Sequence, residues 1–133
     1  MDEQLENPQG IIDYWRNSSE KDFLTMKNLL RSKDYSWSLF LGHLVLEKLL
    51  KAHYVKANQK HPIFIHDLLR LATKAKLTLT EEQKDWLDEI TTFNINIRYD
   101  NYKQDFHQLC TKEFTHLWVE QIKILRQWLI NEL

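Results

Sequence analysis

Seven residues in one polar stretch carry the types needed for chemistry on a phosphate ester: Arg98, Tyr99, Asp100, Asn101, Tyr102, Asp105 and His107. Arginine is a permanent cation that orients a phosphate through a planar fork of donors. Histidine exchanges a proton near neutrality and can serve a ribose hydroxyl or a leaving oxygen. Arg98 and His107 together could therefore cleave RNA without a metal. The same residues also admit a structural use, in which Arg98 pairs with Glu47, Asp100 or a helix C-terminus, the tyrosines pack and His107 is solvated. A second group of polar residues, His43, Glu47, Lys48 and Lys51, interrupts an otherwise apolar segment. Glu47 and Lys51 stand four apart in the order that favours a helical ion pair, and the plain expectation for the group is a solvated stripe.

Other chemistries find little support. The six histidines form no ligand spacing: His61 and His66 flank a proline, His43 and His53 are ten apart, and no His-Glu-x-x-His pattern occurs, so no metal is expected. A glycine-rich phosphate loop and a Gly-x-Ser-x-Gly elbow are both missing, which disfavours P-loop hydrolysis and hydrolase-fold catalysis. No cofactor is expected. Eighteen basic against nineteen acidic residues leave a net charge of −1, which argues against duplex binding by bulk phosphate neutralisation but leaves room for a local basic face. The lone Cys110 cannot form an internal disulfide, so the expected setting is cytoplasmic. The opening Met1-Asp-Glu-Gln-Leu-Glu is unlike a signal peptide, and no run approaches 18 uncharged apolar residues, so no membrane contact is expected.

The elements that must position these residues are helices. With 133 residues, 43% of them apolar, and only two glycines and two prolines, the chain fits one all-α domain over residues 1–133, an up-and-down bundle of about five helices. Residues 1–8 are expected to be loosely ordered. The first helix starts after Asn7-Pro8 and carries Ile12, Trp15, Phe23, Met26 and Leu30 on one face, with Ser19 at a close crossing. The second, from about Ser36 to Ala57, carries Trp37, Phe40, Leu41, Leu44, Val45, Leu49 and Ala52 inward. Leu39, Leu46 and Leu50 widen its apolar arc until it belongs at the centre of a bundle or at a dimer seam. A short third helix follows His61-Pro62, from His66 or Asp67 to Lys76, with Asp67 placed to cap it. Thr80-Glu-Glu-Gln83 reads as a capping box opening a fourth helix with Trp86, Ile90, Phe93 and Ile97. Arg98 to Cys110 loses the apolar period and reads as an ordered loop with at most a turn of helix. The last helix runs from about Thr111 to Asn131 with Phe114, Leu117, Trp118, Ile122, Leu125, Trp128 and Leu129 inward.

Three stretches resemble the HEPN family of small helical proteins, named for nucleotide binding in higher eukaryotes and prokaryotes. Leu46-Glu47-Lys48-Leu49-Leu50-Lys51-Ala52 is similar to the glutamate-lysine-x-x-lysine-alanine run of that family's second helix. His66-Asp67-Leu68 resembles the opening of its third, and Asn96-Ile97-Arg98-Tyr99 resembles the arginine-tyrosine ending its fourth. The likeness extends from Ile11 to the C-terminus. It implies a helical bundle, usually a homodimer whose two arginine regions face each other across a cleft. It also implies a partner, an MNT-type nucleotidyltransferase in toxin-antitoxin pairs, and in active members a metal-independent RNase whose arginine and histidine are four to six residues apart. Here eight residues separate Arg98 from His107, and Asp100 stands where proline is common after arginine-tyrosine. The leading expectation is accordingly a nucleotide- or RNA-binding protein with little or no catalysis, partnered by a separately encoded minimal nucleotidyltransferase. Its binding residues would be Lys48, Lys51, Arg98, Tyr99, Asp100, Asn101 and Tyr102. The alternatives are an endoribonuclease toxin using Arg98 and His107, and a structural helix-bundle adaptor.

Overall fold

The computed structural model describes residues 5–133 as six helices: α1 (Pro8–Arg31), α2 (Tyr35–Asn58), α3 (Leu68–Lys74), α4 (Glu81–Arg98), α5 (Asp100–Leu109) and α6 (Lys112–Glu132). No strand occurs among the described residues, and no helix is long and apolar enough to cross a membrane. The loose start expected over residues 1–8 falls partly on residues 1–4, which lie outside the described residues. Asn7 and Pro8 already begin α1, with Asn7 Oδ1 accepting from the Gly10 amide and Pro8 in the first turn, where a missing N–H costs nothing.

The helix starts follow local chemistry. Asp67 caps α3 by accepting from Arg70 N, and Thr80 and Gln83 exchange both bonds of a capping box at the start of α4. Thr111 accepts from Phe114 N at the start of α6. Two helices stop at a lysine in the left-handed region: Lys33 (φ 66°) after α1 and Lys76 (φ 62°) after α3. Each carries the paired reverse bonds of a helix-terminating turn, Asp34 N to Leu29 O with Lys33 N to Leu30 O, and Leu77 N to Ala72 O with Lys76 N to Thr73 O.

Helix α2 is the axis of the molecule and packs against all five other helices. Its wide apolar arc is therefore explained by centrality, and no dimer seam is needed to bury it. Along it, Leu39, Val45, Leu46, Leu49 and Leu50 are shut from solvent together with Met26, Leu68, Ile90, Phe93 and Ile122. Ser19, expected at a close crossing, is buried there and donates to Val45 O at 2.8 Å, while Ser38 returns a bond to Met26 O at 2.9 Å. The two hydroxyls tie α1 to α2 in both directions.

The polar residues of α2 are not the solvated stripe that was expected. His43, Glu47 and Lys51 are buried, because α1, α3 and the 59–67 connector close over them. Burial then demands partners. Glu47 takes Lys51 at 3.5 Å and His66 Nδ1 at 2.6 Å, Lys48 reaches Asp22 on α1 at 2.7 Å, and His43 Nε2–H donates to His66 O at 3.0 Å.

The segment from Arg98 to Cys110 also differs from its expectation: it is mostly a ten-residue helix, α5. Its apolar period is invisible because only Phe106 is buried along its length, with Cys110 following just beyond. Tyr99, with φ −105° and ψ 123°, breaks the chain between α4 and α5, so the two are separate helices.

Two measurements test this packing. Burial pushes the pKa of His43 and of His53, whose Nε2–H donates to Leu129 O at 2.7 Å, below the ordinary 6.5. The unfolded chain takes up these protons near pH 6.5 while the folded chain resists, so stability present above that pH falls as the solution is acidified through it. The thermal midpoint is expected to drop between pH 7 and pH 5, and His43→Gln and His53→Gln should each make the drop shallower. Burial also raises the Cys110 thiol to about 12. The folded protein should leave a thiol reagent unreacted at pH 8 and consume one equivalent once unfolded in denaturant.

Candidate functional site

The last turn of α4 presents Arg98 to solvent while Ile97 and Asn94 stay buried. A cation is favoured at this end of a helix by the carbonyls left without partners. The Arg98 Nε–H donates to Asn94 Oδ1, and the guanidinium lies over the Phe40 ring, 5.5 Å from its centroid. Of the structural uses open to Arg98, pairing with Glu47 does not occur, since that carboxylate is taken by Lys51 and His66.

Helix α5 then turns back onto the start of α2. Phe106 anchors it against Phe93, ring centroids 5.5 Å apart, and places its neighbour His107 at the first turn of α2. There the His107 ring is exposed, but its Nδ1 is hydrogen-bonded to the buried Ser36 hydroxyl. Lys103, one helical turn before His107, sets its ammonium 5.2 Å from the centre of the Trp37 ring, and His107 stands 6.5 Å from the same ring. Trp37 meets Phe40 edge to face at 6.0 Å. Arg98 and His107 are thereby joined through two aromatic rings on consecutive turns of α2, despite the eight residues between them.

The other expected residues divide into two groups. Tyr99, Asp100, Asn101 and Tyr102 form the break and the first turn of α5 and are exposed beside Arg98. Lys48 and Lys51 lie elsewhere. Lys48 is engaged by Asp22, whereas Lys51 sits on Glu47 and over the Trp15 ring at 4.7 Å, eleven residues and about 16 Å along α2 from Phe40. Neither lysine shares a cleft with Arg98 inside one chain.

Four residues at the site were not singled out from the sequence for it: Lys103, Ser36, Trp37 and Phe40. Trp37 was expected to point inward, but it is 40% exposed, since Ser36 and Ser38 take the buried positions of that turn. The available signal was the spacing of Lys103 and His107, four apart and so on one face of any helix drawn there. A cavity of about 270 Å³ adjoins His107, lined by Lys33, Asp34, Tyr35, Ser36, Trp37 and Cys110. No group of three or more histidine, cysteine, aspartate or glutamate side chains suited to a metal ion occurs among the described residues.

What the arrangement can do chemically follows from its parts. An arginine and a lysine supply positive charge beside an exposed indole, and a histidine held through Nδ1 leaves Nε2 toward solvent. Phosphate attracts the cations, a base can stack on the ring, and Nε2 can exchange a proton with a bound oxygen. Comparison with known proteins agrees with this reading at the level of family. A model of the HEPN domain matches residues 12–133, while no curated protein and no solved structure matches the chain. With nearly its whole length matched, the chain belongs to the HEPN domain family.

Proposed function

We propose that the protein binds single-stranded RNA on the face formed by Arg98, Lys103, Trp37 and His107, with the exposed turn from Tyr99 to Tyr102 as its rim. The observation that carries this reading is Trp37 itself: an indole left 40% exposed, with a lysine over it and an arginine one ring away. Cations beside an aromatic platform suit a strand whose bases are free to stack, and each stacked base contributes about 1–3 kcal/mol. A duplex hides its base faces, and a chain of net charge −1 has little bulk attraction for one. Within this reading the protein works in the cytoplasm as a homodimer and as the partner of a separately encoded minimal nucleotidyltransferase in a toxin-antitoxin pair. Support for those finer points is the family membership.

One observation favours a second reading, metal-independent cleavage. When the His107 ring is neutral with its proton on Nδ1, that N–H donates to the Ser36 hydroxyl, and Nε2 presents its lone pair to the attacking ribose hydroxyl as a base. Arg98 would steer the scissile phosphate and stabilise its developing charge.

A fluorescence-anisotropy titration with labelled single-stranded RNA tests the binding reading. Trp37→Ala should weaken binding on the order of tenfold, from the loss of one stacked base. Arg98→Ala and Lys103→Ala should weaken it and flatten its salt dependence, whereas Lys48→Ala should leave it unchanged. Incubating the same RNA with chelator decides the second reading: cleavage that persists, and is lost in both Arg98→Ala and His107→Ala, makes the protein a ribonuclease. Neither binding nor cleavage would leave it an adaptor.

A further inference from the structure

The cavity beside His107 lies between the turn joining α1 to α2 and the end of α5. Resting on the RNA-binding reading above, we propose that it is a base-specific subsite that takes a guanine from the bound strand. Its volume, about 270 Å³, falls just under the ~300–1,000 Å³ of pockets that hold drug-sized ligands, which is the scale of one planar base and not of a whole cofactor. Two aromatic side chains, Tyr35 and Trp37, line it, and Trp37 belongs to both the open face and the cavity. A strand stacked on the indole thus has the cavity next to it.

The polar lining selects among bases. Asp34 is the residue preceding α2, a position where an aspartate ordinarily accepts a bond from the first turn of its helix. Here the carboxylate makes no such bond. It accepts the Ser32 hydroxyl instead, which occupies one of roughly four lone-pair sites and leaves the rest for a ligand. Lys33, beside it, has an ammonium with no ion-pair partner among the described residues. The cavity therefore has a strong acceptor and a strong donor among the residues that line it.

Guanine matches that pair best. Its pairing edge carries two adjacent donors, N1–H and the 2-amino group, next to the acceptor O6. A carboxylate can accept both donors in a bidentate, charge-assisted arrangement while lysine donates to O6. Adenine places the bare lone pair of N1 where guanine has N1–H, directly against the carboxylate. Uracil and cytosine flank their single donor position with carbonyl or ring-nitrogen lone pairs that meet the same repulsion. A good bidentate pair discriminates among bases by about 1–3 kcal/mol, or roughly 5- to 150-fold in affinity.

The test uses the full chain and a set of short, labelled oligouridines carrying one central guanosine, inosine or adenosine. The expected result is an affinity order of guanosine over inosine over adenosine, with about tenfold or more between the ends. Inosine falls between because it keeps N1–H and O6 but lacks the 2-amino group. Asp34→Asn should erase the order, weakening the guanosine oligomer and relieving the repulsion at adenosine; asparagine suits the start of a helix as well as aspartate, so the fold is retained. Lys33→Ala should narrow the gap between guanosine and adenosine, and Trp37→Ala should weaken all three oligomers. Equal binding of the three by the wild-type chain, or a preference that survives Asp34→Asn, would overturn the subsite and leave the RNA-binding face standing. Binding of none of them would remove the face and the subsite together.

Discussion

The structure depends on how closely α1 and α6 approach α2. At Gly42 a Cβ would lie 2.5 Å from Ile122 Cδ1 and 3.3 Å from Met26 Sδ, so the side chains of both neighbouring helices occupy the space that any larger residue would need. A glycine inside a helix costs roughly 1 kcal/mol relative to alanine. The close packing it admits has to outweigh that, and the fully buried Met26 and Ile122 on either side are what it gains. Ser19 and Ser38 serve the same approach between α1 and α2. They are small enough for the crossing, and each spends its hydroxyl on a carbonyl of the opposite helix.

Surrounding one helix on every side has two consequences that set up the rest of the molecule. The polar residues of α2 are drawn in with it, so Glu47 must answer both Lys51 and His66, and His43 must stay neutral and donate to a backbone oxygen. The second consequence concerns the end of the helix. The first turn of α2 leaves Trp37 exposed on its outer side, and α5 docks beside it with one deeply buried side chain, Phe106. Burying a phenylalanine is worth about 1.5–3 kcal/mol, enough to dock a ten-residue helix but little more. The proposed face is therefore built on the central helix of the fold and closed by a lightly held one, the combination expected where a ligand must enter.

Much of this was legible in the sequence, and the failures have one physical source. Helices with a full buried face announced themselves: the 4, 3, 4 spacing of α4 and the Thr80 capping box needed no tertiary information. Where an element touches the core at a single point, periodicity carries no signal, and α5 read as a loop. Reading a loop also hid how α5, packed on the start of α2, brings Arg98 and His107 to neighbouring turns of that helix although eight residues separate them. Trp37 failed for the complementary reason. A tryptophan on a strongly apolar helix is expected inside, but in this first turn Ser36 and Ser38 take the buried positions and Trp37 falls on the outer side, where Lys103 and His107 of α5 meet it. Residue type singled out Arg98 and His107 without revealing Trp37 or Lys103, because those two are joined to them only by the docking of α5 on α2.

The three cations expected to bind, Lys48, Lys51 and Arg98, and the Lys103 that the structure adds to them, are separated by their counter-charges. Lys48 and Lys51 each sit on a carboxylate in a partly or wholly buried setting, so an incoming phosphate would have to compete with Asp22 or Glu47 and leave a carboxylate unpaired. Arg98 is held by a neutral amide and an aromatic ring, and Lys103 by an aromatic ring. Those contacts fix the direction of the charge without cancelling it. Cations of this kind can meet an anion without first breaking an ion pair, and both stand beside the exposed indole. The electrostatic case for the Arg98 face thus rests less on how many basic residues the chain carries than on which of them the fold has left uncompensated.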